Sequence, residues 1–156
     1  MDDLGTGRED FVEAGKVVAK LDLKPHPEGG WFRETWREPS HEGGRDLATG
    51  ILFLLEKGQS SHWHRVDAAE MWIYNAGGPL RLSMAAGQLG ENALPDIFLG
   101  ADLMAGQLAQ HLIPAWQWQA AETLGAWTLA TCIVSPGFDF AGFELAPPDW
   151  LPLARR

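Results

Sequence analysis

The rhythm of apolar and polar positions changes near residue 22. Upstream, residues 9–21 set Phe11, Val12, Val17, Val18 and Leu21 near one side, with Glu9, Glu13, Lys16 and Lys20 elsewhere, the spacing of an amphipathic helix. This helix is expected to lie as a cover on a sheet, behind a frayed stretch over residues 1–8. Downstream the period drops to two. Residues 31–38 put Trp31, Arg33, Thr35 and Arg37 on one face and Phe32, Glu34 and Trp36 on the other. Residues 48–55 form an apolar run, as a strand buried on both faces would. Further strands are predicted over 61–66, 70–75, 80–85, 96–100, 107–113, 116–121, 126–134 and 143–145. Between them stand turn signals such as Gly77-Gly78-Pro79, Pro114-Ala115 and Ser135-Pro136-Gly137. Many short strands with regular turns predict an all-β sandwich or barrel. Without a linker, repeat or low-complexity tract, the reading is one domain over 1–156: the helix over 9–21, then the β structure over 22–156.

Composition narrows the partners. A chain of 156 residues with 46% hydrophobic positions can close a core. Its formal charge of -9 argues against nucleic acid and anionic membranes, which call for basic patches. Met1-Asp2-Asp3 is acidic and does not resemble a secretory signal, and the apolar run at 51–55 is far too short to span a bilayer. One cysteine, Cys132, forms no internal disulfide, which fits a cytoplasmic protein. Thr131, Ile133 and Val134 around it read as a strand and make a buried, inert thiol the expectation. Eight tryptophans are expected mainly in the core or a subunit interface, with two or three left to line a cavity.

The chemistry concentrates in His62-Trp63-His64 and Glu70. Histidines at i and i+2 of a strand point the same way, and a carboxylate beyond the bend at 67–69 can fold back beside them. Two imidazoles and a carboxylate on one wall suit a first-row divalent metal, iron, manganese, nickel or zinc, with open positions. Glu70, Trp72 and Tyr74 share a face, so Trp72 is a candidate ligand contact. If the glutamines at 117 and 119 face inward, Gln119 approaches the cluster. The metal set is then His62, His64, Glu70 and Gln119. Without metal, His64 beside Glu70 could act as a base with Tyr74 as the acid. The plainer alternative is two histidines packed beside tryptophans and hydrogen-bonded to neighbours.

Other marked residues carry two readings each. The turn Pro25-His26-Pro27-Glu28-Gly29-Gly30 either hands the helix to the first strand or shapes a cavity rim, with Glu28 its candidate ligand-binding residue. Arg33 and Glu34 lie on opposite faces of their strand. An inward Arg33 would suit an anionic group and an inward Glu34 a base or ligand, and parity alone leaves both open. His41 reads as solvated, His111 as lying ahead of the site, and Asp139 as a residue that could close one end of the cavity.

Gly58, His62, His64, Glu70 and Gly77 resemble the first conserved motif of the cupin superfamily, in which HxH and a following Glu ligate metal. At the second motif, Trp116 stands where a glycine is usual and Gln119 where the fourth ligand is a histidine. A closer resemblance runs along the chain. Residues 23–35 (LKPHPEGGWFRET), 61–67 (SHWHRVD) and 134–140 (VSPGFDF) are similar to three signatures of the cupin-5 family of RmlC-like cupins. The resemblance implies a cupin jelly-roll β-barrel behind one N-terminal helix, a homodimer and a polar cavity inside the barrel. It carries no particular reaction with it, and the likeness to deoxysugar-nucleotide epimerases of this fold is an analogy.

Three functions compete. An enzyme would use a metal as Lewis acid on a small polar substrate, or metal-free acid–base chemistry of the isomerase or epimerase kind. A binding module would hold a small molecule with Glu28, Arg33, Trp72 and Gln119, without turnover. A structural dimer would keep the cavity as a vestige.

Overall fold

The computed structural model describes residues 12–156. It contains one α-helix and twelve strands among the described residues. The helix α1 spans Ala14–Leu21, shorter at its start than the apolar pattern suggests. Val12 and Glu13 are not helical, and positions 9–11, like the frayed stretch expected over 1–8, fall outside the described residues. No residue of α1 is buried, so the helix flanks the barrel rather than capping its core. The Trp127 indole anchors the approach to it by donating to the carbonyl of Val12 at 2.7 Å.

The strands are β1 Lys24–Pro25, β2 Trp31–Glu38, β3 Ala48–Glu56, β4 Ser60–Val66, β5 Ala69–Gly77, β6 Leu80–Ala86, β7 Asn92–Ala93, β8 Ile97–Leu99, β9 Gln110–Ile113, β10 Trp118–Thr123, β11 Trp127–Ser135 and β12 Phe143–Leu145. They pair antiparallel in two sheets. One runs β1-β2-β3-β11-β5-β9, the other β12-β4-β10-β6-β7, with β8 on β6. Two facing antiparallel sheets linked by crossovers between them give the jelly-roll expected from the sequence. The predicted strands stand close to their observed bounds; β1 and β7, two residues each, had no signal to announce them.

Phe53, Leu55, Trp72, Leu80, Leu82, Met84, Leu99 and Ile113 fill one part of the space between the sheets. Burying such side chains supplies about 1.5–3 kcal/mol each against chain entropy. The remaining space is a cavity. The tryptophans serve packing instead of this cavity: none of them lines it. Trp63 and Trp118 are buried under Trp150 of the C-terminal tail, whose ring lies 4.3 Å from that of Trp118. Trp36 and Trp116 remain exposed. Among the described residues no helix is long and apolar enough to cross a membrane.

Three bulges decide which side chains face inward. In β4 against β10, Ser61 pairs with Ala121 and His64 with Gln119, so His62 and Trp63 together oppose Ala120. In β2 against β3, Glu34 pairs with Ile51 and Trp36 with Gly50, leaving Thr35 as the extra residue. In β5 against β11, Tyr74 pairs with Ala130 and Ala76 with Leu129, leaving Asn75 extra. An extra residue resets the alternation, so positions three apart come to share a face.

Candidate active site in the barrel cavity

The cavity, about 560 Å³, opens between β2, β3, β4, β5 and β11 and is walled on one side by Phe138, Phe140 and Phe143. Its inner end holds Glu28, His64, Glu70, His26 and Cys132. Each reaches it for a local reason. Glu28 hangs from the tight turn before β2, closed by His26 N–H to the Gly30 carbonyl and Gly29 N–H to the His26 carbonyl. Gly29 has φ +106, and a Cβ there would lie 2.1 Å from the Ser60 carbonyl oxygen, so only glycine lets the turn meet β4.

The β4 bulge then supplies the partners of Glu28. Ser61 and His64 both turn toward Glu28, and His64 lines the cavity: the Ser61 hydroxyl donates to Glu28 Oε1 at 2.9 Å, and His64 Nε2 lies 3.2 Å from Glu28 Oε2. His62 turns away, with its Nε2 2.8 Å from the Pro147 carbonyl in the C-terminal tail. The expected pairing of His62 with His64 assumed a regular strand.

Hydrogen bonds fix the protonation of both cavity histidines. His64 Nδ1 is 2.7 Å from the His62 carbonyl, which only accepts, so this nitrogen carries the hydrogen and Nε2 offers a lone pair to Glu28. His26 Nδ1 accepts the Glu28 backbone N–H at 3.1 Å, so its hydrogen is on Nε2. Burial lowers the pKa of both, that of His26 to about 4, with repulsion from His64 adding to the effect. Burial also pushes Glu28 up to about 8, against the Ser61 hydrogen bond that favours its charged form. The Glu28–His64 contact is therefore a carboxylic acid donating to a neutral imidazole.

Glu70 stands at the end of a second chain. The Trp72 indole donates to Gln119 Oε1 at 2.8 Å, and Gln119 Nε2 donates to Glu70 Oε2 at 2.7 Å. Since the indole only donates, it dictates the orientation of the amide. Burial raises Glu70 to about 7; His64 pulls it down and Glu28 pushes it up. The Cys132 thiol hydrogen-bonds the same carboxyl and is pushed well above its ordinary range by burial. It is buried as expected, yet borders the cavity.

Several expected positions fall elsewhere. Trp72 and Gln119 support Glu70 from the core and do not line the cavity. Tyr74 packs on the core, but its hydroxyl donates to the Gly77 carbonyl at 2.6 Å, leaving no acid role for it in the cavity. Arg33 is exposed, and Glu34 lines the cavity in its place. His41 is exposed, and His111 lies on β9 opposite Trp72, outside the lining. The sequence reading missed His26 as a neutral partner, Ser61, and the pair Glu34–Arg37. That pair is brought to one face by the β2 bulge and joined at 2.6 Å, a contact a regular strand forbids at i and i+3.

The mouth is tied by the signature residues. Arg45 clasps Asp67 at 2.7 and 2.8 Å and donates to the Gly137 carbonyl at 2.7 Å. The Gly137 N–H reaches the Asp46 carbonyl and the Phe138 N–H reaches Thr49 Oγ1, both within 3.0 Å. Asp67 and the 137–140 turn, far apart in the chain, thus meet through one guanidinium.

The donor set does not fit the expected metal. His62 is outside, the Gln119 carbonyl is engaged by Trp72, and its amide presents hydrogens toward Glu70. Among the described residues, no group of three or more His, Cys, Asp or Glu is arranged to hold a metal ion.

Comparison with known proteins places this geometry. A Shewanella oneidensis protein is 36% identical, with a TM-score of 0.81 over 87% of this chain and 85% of its own. A hypothetical protein from Leishmania major is 30% identical, with a TM-score of 0.76 over 86% and 88%. Oxalate decarboxylase from Bacillus subtilis shares the fold alone, at 16% identity and a TM-score of 0.57 over 80% of this chain and 30% of its own. No curated protein matches the sequence. The model of the family Cupin_5, described as cupin superfamily (DUF985), matches residues 15–146, and the chain belongs to that family.

Proposed function

We propose that this protein binds a small polar, carbonyl-bearing or sugar-like molecule in the barrel cavity and moves a proton on it, as an isomerase or epimerase does. One observation carries the reading. Two buried carboxyls share the inner end of the cavity, and their environments set Glu28 to about 8 and Glu70 to about 7. Near neutral pH Glu28 then holds its proton while Glu70 can give one up, which is how an acid and a base are made from the same side chain. Glu70 takes the proton from the carbon beside the carbonyl. The electron pair moves into the carbonyl, whose oxygen receives the Glu28 proton. Glu70 then returns its proton to the neighbouring carbon, and the hydroxyl there yields its hydrogen to Glu28 as the new carbonyl forms, with no net change of protons or electrons. His64 steadies the acid: its fixed tautomer keeps the Glu28 hydrogen directed at Nε2 until the ligand oxygen competes for it.

The test is deuterium wash-in from D2O, followed by NMR on glyceraldehyde, dihydroxyacetone and free hexoses. The reading expects incorporation by the wild type and loss of at least 100-fold in both Glu70→Gln and Glu28→Gln. Equal incorporation in the variants sinks it. Binding without incorporation in the wild type favours the non-catalytic binding module.

The expected homodimer belongs to the same reading. Trp36 and Leu112, on the outer face of the first sheet, are 44% and 48% exposed and offer an apolar surface for a second copy. Light scattering at the monomer mass would remove it.

A further inference from the structure

The charged groups of the cavity are not distributed evenly. Among the described residues its lining holds two guanidinium groups, Arg37 and Arg45, and no lysine. Neither is free to meet an anion. Arg37 spends its donors on Glu34, at 2.6 and 3.2 Å, and on Asp46 at 2.7 Å. Arg45 spends Nη1 and Nη2 on Asp67 and Nε on the Gly137 carbonyl. A bidentate pair of this kind yields little field to a third group. The two histidines are neutral: the His26 Nδ1 accepts a backbone N–H, and His64 is buried, which lowers its pKa, with its Nδ1–H turned to the His62 carbonyl. No imidazolium therefore offsets the carboxyls.

Acidic groups remain beyond those pairs. The Glu70 carboxyl is hydrogen-bonded by the amide of Gln119 and by a thiol, with no guanidinium or ammonium beside it, and Asp139 accepts the backbone N–H of Ala141 at 2.9 Å. The cavity wall around Asp139 is aromatic: Phe138 stands edge-on to Phe140 at 4.9 Å and lies 5.7 Å from Phe143. Ring faces and carboxylates both attract positive charge and tolerate hydroxyls, and both repel anions.

We infer that the cavity selects a small carbonyl compound or sugar without negative charge, either uncharged or amine-bearing, and turns away carboxylates and phosphates. The inference rests on the cavity being the ligand site of the proposed function, and adds the sign of its ligand. It sets this chain apart from any task that begins with an acid or a phosphorylated sugar.

Cys132, the single cysteine of the chain, borders the cavity and reports on this without any catalysis. Three thiol reagents of one reactivity are compared: a trimethylammonium-ethyl, a sulfonato-ethyl and a methyl methanethiosulfonate. Each rate is divided by its rate with a free small thiol. The cationic reagent is expected to modify Cys132 at least tenfold faster than the anionic one. In the double variant Glu34→Gln/Asp46→Asn, which frees Arg37, this ratio is expected to fall at least fivefold. A sulfonate rate equal to or above the ammonium rate overturns the inference, as does a ratio unchanged in the double variant. Failure of the methyl reagent to reach Cys132 also overturns it. Since no proton transfer enters the readout, it stands or falls apart from the deuterium experiment.

Discussion

Oε2 of Glu28 lies 3.2 Å from Nε2 of His64, and the hydrogen between them belongs to the carboxyl. The His62 carbonyl sets the tautomer by holding the other ring nitrogen as a donor, and burial, which lowers His64 and raises Glu28, keeps the hydrogen on the acid. The pH behaviour of the fold follows from these buried groups.

For Glu28 and Glu70, whose folded pKa values are raised, the folded chain binds more protons than the unfolded one between about 4.5 and their raised values. Stability from these groups therefore falls as pH rises through that window. For His26 and His64, whose folded values are lowered, the unfolded chain binds more protons below 6.5, and stability rises with pH up to that point. The two trends oppose each other between pH 4.5 and 6.5, and only the loss remains between 6.5 and 8. The unfolding free energy from urea titrations is expected to be nearly level in the first range and to drop in the second by on the order of a few kcal/mol. In Glu28→Gln the drop is expected to shrink markedly; a drop as steep as in the wild type would remove Glu28 as its source.

Gln119 is expected to matter for stability as much as for chemistry. Gln119→Leu leaves the Trp72 indole and one oxygen of Glu70 without partners in the core. Each orphaned group costs about 1–3 kcal/mol, so chemical denaturation should register a loss of roughly 2–6 kcal/mol. Gln119→Glu places a second carboxyl against Glu70 and is expected to push the Glu70 pKa further upward, read by NMR titration.

His62 and His64 should separate cleanly. His62→Ala removes one exposed hydrogen bond to the tail, costs about 1 kcal/mol or less, and leaves deuterium exchange unchanged. His64→Ala is expected to abolish exchange. Elemental analysis of purified protein should return well under one transition metal per chain, with no difference between the wild type and a His62→Ala/His64→Ala variant. One equivalent, lost in the variant, would restore the two-histidine shell.

The Arg45 clasp predicts a local effect. Arg45→Gln removes the side-chain tie between the 44–46 loop, Asp67 and Gly137, and hydrogen exchange should speed at Gly137 and Phe138 by at least tenfold, with the amides of β10 unchanged. Equal protection in the variant would show that the Gly137–Asp46 and Phe138–Thr49 bonds suffice alone.

Much of the fold was legible because turn chemistry is local. Gly77-Gly78-Pro79 and Ser135-Pro136-Gly137 end strands wherever they occur, and β2 and β12 were read with their observed bounds. Glu28 and Glu70 were legible as cavity residues for the same reason, one from its turn and one from its spacing. What escaped depended on a neighbouring strand. Whether Ser61 or His62 faces inward is set by the pairing of β4 with β10, and whether Arg33 or Glu34 does so depends on β2 against β3. The link from Trp72 through Gln119 to Glu70 spans nearly fifty residues of chain, and no local pattern encodes it.

The bulge in β4 has a reach beyond this protein. With strict alternation, the same letters Ser61-His62-Trp63-His64 would present two imidazoles to the interior and send the hydroxyl outward. The extra residue exchanges one imidazole for a hydroxyl without altering a codon. Relatives that keep these residues but differ by a single pairing step could thus stand on opposite sides of a chemical divide, one built to grip an ion and the other to share a proton. Among such chains, register would be the inherited trait that separates their chemistry, and an alignment of letters would not see it.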